Sequence, residues 1–257
     1  MASILLLCCF AFMAGFIDAI VGGGGLIQLP AYFILQPQLS LIQTLACNKT
    51  ASFFGTIVAT VSYVKRVKID WKHLQPAIVS AFIGSFSGAL LVSFIHKEQF
   101  MPFIICALLL VLVYTILKKN LGLHPNHKDL STTTYYLYSI GTGGIIGFYD
   151  GLIGPGTGSF IIFALIVLFG YDFLRANANA KVLNCVTSVS ALIFFFIKGA
   201  IVWHIAIPVA ASNMAGNYLG AHLAFKKGSG FIRVFFIVVV LALIAKLSYD
   251  YLPVFLK

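Results

Sequence analysis

Long apolar runs joined by short polar connections dominate the chain, at roughly 3–36, 42–64, 74–95, 100–117, 135–170, 176–197, 201–225 and 231–256. The alternation of apolar and polar positions that marks membrane strands is missing, so helices are expected rather than a barrel. A helix crosses a bilayer with about 20 apolar residues. The first and fifth runs are too long for one ordinary span at about 1.5 Å per residue, and each is interrupted by a glycine cluster, "VGGGGLIQ" and "IGPGTGSF". Each long run is therefore one kinked crossing or two segments meeting at the break. The N-terminal stretch "MASILLLCCFAFMAG" lacks the positive region of a signal peptide and reads as mature structure.

The chain matches itself at a constant offset of 132 (147 − 15). Gly15, Phe16, Asp18, Gly22 and Gly24 fall on Gly147, Phe148, Asp150, Gly154 and Gly156. Lys49 meets Lys181, Trp71 meets Trp203, Pro76 meets Pro208, and Gly84 and Gly88 meet Gly216 and Gly220, without a gap. Two homologous halves follow, a first transmembrane repeat over 1–120 and a second over 133–257, with a linker loop at 121–132. Internal repeats are typical of secondary transporters, whose substrate sites lie near the midplane between the repeats.

Composition agrees with a membrane protein. The 257 residues are 60% hydrophobic and 9% charged, against about 25% charged in soluble domains. The net charge of +10 comes from basic residues in short loops, which orient a protein in the bilayer and are no sign of nucleic-acid binding. If both long runs cross twice, the loop Lys and Arg divide 11 against 3 between the two sides; if each crosses once, 9 against 5. The stronger bias favours ten segments. Five per half is odd, so the halves would be inverted, with both termini outside the cytoplasm; eight crossings with parallel repeats is the rival. Trp71 and Trp203 read as interfacial anchors. Cys8, Cys9, Cys47, Cys106 and Cys185 lie in apolar runs without metal-site spacing and read as small fillers. His124 and His127 in the linker read as a solvated loop.

Four ionisable residues cost something in lipid. Asp18 and Asp150 each precede a glycine break, and a charge at a helix centre costs about 2.5–3.5 kcal/mol on insertion scales. Lys49 and Lys181 stand at one and the same spacing behind the aspartate of their half (49 − 18 = 181 − 150), among small polar residues such as Asn48 and Asn177. The lysines and aspartates either neutralise one another or divide the work, a lysine holding an anion and an aspartate carrying a coupling proton. The glycines Gly22, Gly23, Gly24 and Gly25, and the segment with Gly154, Gly156, Thr157 and Gly158, open following helices, where backbone N–H groups and the positive dipole end favour an anion. Close helix packing is the alternative use of such glycines. Asn213 and Asn217 suit cross-helix hydrogen bonding. No nucleophile with an acid–base pair occupies an aqueous loop.

The stretches "AGFIDAIVGGGGLIQLPA", "NKTASFFGT", "GFYDGLIGPGTGSF" and "NANAKVLN" resemble the TauE/SafE family, the sulfite and organosulfonate exporters of the bacterial inner membrane. The resemblance covers nearly the whole chain and implies an all-α, multi-pass protein of the cell inner membrane that transports a small anion such as sulfite or a sulfonate, with no cofactor or metal. The expectation is a transporter with alternating access driven by protons. A passive anion channel is the second reading, and an intramembrane enzyme or scaffold the third.

Overall fold

The computed structural model describes residues 2–92, 113, 122–125 and 130–255. The apolar run at 100–117, Cys106 and His127 lie outside the described residues apart from Val113. Among the described residues the protein is all helix: α1 (Ala2–Val21), α2 (Gly25–Leu35), α3 (Leu41–Val64), α4 (Trp71–Leu91), α5 (Thr132–Leu152), α6 (Thr157–Phe169), α7 (Phe173–Ile197) and α8 (Trp203–Phe255). Gly228, with φ 71° and ψ −172°, breaks α8 into two arms. Three described helices are long and apolar enough to cross a membrane: α1, the Leu74–Leu91 part of α4, and α7. Side chains such as Leu5, Ile34, Ile83, Ile145 and Ile197 stand exposed, as lipid-facing positions would.

Each long run turns back on itself instead of continuing as one kinked crossing. Gln36, just past α2, reaches Ser3 at the start of α1 through Nε2···Oγ at 3.4 Å. The Tyr135 and Tyr171 hydroxyls, at the start of α5 and beyond the end of α6, are 3.0 Å apart. The turns require left-handed backbone: Gly22 and Gly23 have φ 74° and 87°, and Gly154 and Gly156 both have φ 87°. Any residue with a Cβ would be strained there. Pro155 lies in the second turn, whereas Pro30 sits inside α2. The arms of α8 form a further hairpin, since the Phe16 backbone lies against Gly220 before the break and the Phe16 ring meets that of Phe235 after it, with centroids 6.4 Å apart.

Local chemistry fixes the helix starts. Ser40 and Gln43 form a reciprocal capping box on α3, and Asp172 accepts from the Arg175 N–H at 2.9 Å to open α7, so orphan N–H groups are met where these two helices begin. Trp71 and Trp203 open α4 and α8, both about half exposed. The described cysteines, Cys8, Cys9, Cys47 and Cys185, are free thiols.

Backbones approach at two glycine-lined crossings. On α8, Gly216 and Gly220 sit against the Phe12 and Phe16 carbonyls of α1; on α4, Gly84 and Gly88 sit against the Gly144 and Phe148 carbonyls of α5. A Cβ at any of the four would fall under 3.0 Å from those carbonyls, which is the small-xxx-small contact of membrane helices. The second set of contacts equals the first displaced by the repeat offset, with the halves exchanged.

Candidate functional site

The break after α1 meets the start of α6, just beyond the break after α5, where Gly22 lies against Gly158. Asp18 is on the last turn of α1 and Asp150 on the last turn of α5; Lys49 lies in α3 and Lys181 in α7. All four are buried, with 7%, 2%, 6% and 1% of their surface exposed in that order. The pairing crosses between the halves. Lys49 Nζ is 2.7 Å from Asp150 Oδ2, and Lys181 Nζ is 2.8 Å from Asp18 Oδ2. Two buried lysines and two buried aspartates thus form a locally neutral set, which is how charge becomes tolerable at such depth.

The surroundings of the two pairs differ. Lys181 donates twice, to the Asp18 carboxylate and to the Asp18 main-chain carbonyl. That carbonyl also takes the Gly22 N–H at 2.8 Å. It is one of the four carbonyls that a helix leaves open at its C-terminus, and the other three are met as well. The Tyr63 hydroxyl donates to Ala19 O at 2.9 Å. Asn177 Nδ2 lies 2.9 Å from Ala19 O and 2.7 Å from Ile20 O. The Ser159 hydroxyl donates to Val21 O at 3.0 Å. Donors from α3, α6 and α7 therefore close the end of α1.

At the other pair, Lys49 meets Asp150 in an ion contact without the alignment of a hydrogen bond. The Thr157 hydroxyl lies 2.8 Å from Asp150 Oδ1 and 2.6 Å from Gly154 O, one proton serving two acceptors. The Tyr149 hydroxyl donates to Pro155 O within the same turn. A Cβ on Gly154 would stand 3.1 Å from Lys49 Nζ, so the ammonium lies directly on the turn backbone. Asn48, beside Lys49 in sequence, is 5% exposed and its Oδ1 has no hydrogen-bond partner.

The remaining glycines do several jobs. Gly22 and Gly158 press the two breaks together: a Cβ on Gly22 would fall under 3.0 Å from the Gly158 and Ser159 backbone. Gly24 lies against Ala14 O within the first hairpin, Gly25 faces Pro155, and Gly156 faces Leu26. Asn177 is engaged with α1 rather than turned to Lys181. Asn213 hydrogen-bonds across helices, its Nδ2 2.8 Å from Gln28 Oε1 and 3.2 Å from Ala11 O, whereas Asn217 Nδ2 bonds within α8, 2.8 Å from Asn213 Oδ1. Tyr63, Ser159 and Tyr149 complete the breaks and carry no sequence signal of it. No group of three or more potential metal ligands occurs among the described residues.

The family model described as sulfite exporter TauE/SafE matches residues 7–247. The probable membrane transporter protein YfcA of Escherichia coli (strain K12) is 33% identical, covering 93% of this chain and 87% of the relative. The probable membrane transporter protein ORF9 of Sinorhizobium sp is 34% identical, over 93% and 90%. A probable membrane transporter protein of Haemophilus influenzae is 32% identical, over 95% and 94%. No solved structure matches. These names indicate a membrane transporter rather than an enzyme. The chain belongs to the sulfite exporter TauE/SafE family.

Proposed function

We propose that the protein moves a small anion, sulfite or an organosulfonate, across the inner membrane by proton-coupled alternating access between two inverted repeats. The observation that carries this reading is the pair of crossed ion contacts at the touching breaks, Lys49–Asp150 and Lys181–Asp18. The carboxylates hold the ammonium groups where a substrate anion would be held. An anion that takes Lys49 deprives Asp150 of its counter-charge. An unpaired carboxylate is costly at that depth, so Asp150 takes up a proton as the anion binds. Anion and proton then travel together. Gly22 and Gly158 close the space between the breaks in this conformation, so loading requires the hairpins to part. The main-chain contacts of α1 with α8 and of α4 with α5 link each half to the other, and a rocking of one half against the other opens the same centre to either side.

Flux into proteoliposomes tests this. The panel is sulfite, sulfate, thiosulfate, sulfoacetate and small carboxylates, with and without a pH gradient. Transport of at least one sulfur oxyanion, faster when its own side is acidic, is expected. A sulfonate group keeps its charge near neutrality, so its pH dependence reports the protein and not the substrate. Asp150→Asn should remove that dependence. Flux that still follows the gradient after both Asp18→Asn and Asp150→Asn disproves the coupling and favours a passive channel; no flux of any anion disproves the substrate class.

A further inference from the structure

Away from the ion pairs, a groove of about 370 Å³ opens between the C-terminal end of α3 and the first arm of α8, lined by Ile57, Val58, Val61, Ser62, Lys65, Arg66, Tyr218, His222 and Phe225. From the structure we infer that this groove binds an anionic phospholipid, its phosphate at Lys65 and Arg66 and an acyl chain along Ile57, Val58 and Val61.

Three observations carry the assignment. The lining holds two cations and a histidine but no carboxylate, so a ligand phosphate meets no competing anion there. The cations and the apolar floor lie on one helix in the right order: Lys65 caps α3, and Ile57 lies two turns deeper, about 12 Å along the axis. That is the layout of a headgroup at the interface with a chain descending into the hydrocarbon, and basic pockets between membrane helices favour such headgroups. Arg66 is also held in place, its guanidinium 4.8 Å from the centroid of the Phe225 ring.

The third observation comes from the offset of 132. The positions matching Lys65, Tyr218 and His222 are Ile197, Phe86 and Leu90. Between α4 and α7 a cavity elsewhere along the matching helices, sharing only Val189 with the matched positions, is lined by Ile78, Val79, Phe82, Ile83, Cys185, Val186 and Val189. Lys198, which matches Arg66, stands outside that lining, its ammonium 5.9 Å from the centroid of the Phe194 ring on its own helix. Of Lys65, Arg66 and His222, the matching positions keep a cation only at Lys198, so the paired cations belong to the α3–α8 groove, as a ligand found at one membrane surface, such as anionic phospholipid of the inner leaflet, would require.

The test is native mass spectrometry of the detergent-purified full chain, titrated with phosphatidylglycerol, cardiolipin and phosphatidylcholine. Anionic lipid adducts should persist on the wild type and bind about tenfold more weakly to the Lys65→Gln/Arg66→Gln variant, with phosphatidylcholine adducts the same in both. Inorganic phosphate at matching concentration should not displace the lipid. Equal retention by the variant, equal binding of phosphatidylcholine by the wild type, or displacement by inorganic phosphate overturns the assignment, the last in favour of a free-anion site. The wild type in nanodiscs supplies a check independent of the variant's folding: deuterium uptake over 61–66 and 218–225 should be slower in phosphatidylglycerol than in phosphatidylcholine, and identical uptake refutes the site.

Discussion

The first and second hairpin breaks contain the same aspartate, one matched positive-φ glycine (Gly22 and Gly154) and a lysine from the opposite half, yet they are secured in opposite ways. The first is held from outside. Lys181, Asn177, Tyr63 and Ser159, from three other helices, take up every carbonyl at the end of α1. The second is held mostly from within, by Thr157, Tyr149 and the turn backbone. Lys49 touches it through one carboxylate contact. A break secured by its own turn can separate from its lysine without losing its shape; a break secured by neighbours cannot. On the proposed function, the Lys49–Asp150 pair is the one that exchanges its partner, and Lys181–Asp18 the one that stays as the anchor.

The largest expected effect breaks the anchor. Lys181→Ala removes two hydrogen bonds and leaves Asp18 buried without a counter-charge, a loss of about 3 kcal/mol. Lys49→Ala leaves Asp150 with the Thr157 hydroxyl and should cost roughly half as much in stability, while abolishing anion flux. Thermal unfolding in detergent and liposome flux, run on both variants, separate the two roles. Equal loss of stability in both would dissolve the distinction.

Next comes the backbone of the turns. Alanine at Gly22 must adopt φ 74° and also collide with the Gly158 and Ser159 main chain, which cannot yield cheaply. A loss of about 2–3 kcal/mol follows. Alanine at Gly154 has φ 87° and meets the Lys49 ammonium at 3.1 Å and the Asp150 main-chain oxygen at 3.2 Å, contacts that need give only by a few tenths of an ångström, so left-handed strain of about 1–2 kcal/mol dominates. Gly22→Ala should therefore unfold at clearly lower temperature than Gly154→Ala, whereas Gly154→Ala should weaken anion binding by displacing the ammonium. The reverse order of melting would mean that the two breaks are not pressed together.

Much of this was legible in the chain. The breaks follow from apolar runs too long for one crossing, and the bias of the loop charges favours two segments at each break over one kinked crossing. The importance of the four charges follows from their cost in lipid. The partner of each charge was not legible. Lys49 and Asp150 stand in different halves of the chain, as do Lys181 and Asp18, and nothing local distinguishes pairing within a half from pairing between halves. The glycines were only half legible. Gly22 and Gly154 read as one repeat position, but Gly22 presses on the other break while Gly154 lies under a lysine. Tyr63 and Ser159 gave no signal, since hydroxyls on membrane helices are common and usually bond within their own turn, as Ser62 and Ser87 do here.

The smallest effect divides the two hydroxyls next to the breaks. Single side-chain hydrogen bonds within membranes are worth about 1 kcal/mol, so Ser159→Ala and Thr157→Val should lower stability by similar small amounts. Their effects on transport should part. Ser159 caps Val21 O at 3.0 Å and touches no charge, so its loss leaves the pH dependence of flux unchanged. Thr157 shares its proton with Asp150 Oδ1 at 2.8 Å and so stabilises the ionised carboxylate. Without that donor Asp150 loses one of its two contacts, and the pH profile of flux should change in Thr157→Val. Thr157→Ser, which keeps the hydroxyl, should restore the original profile. An unshifted profile in Thr157→Val would remove Asp150 from the proton's route and leave the second pair as structural as the first.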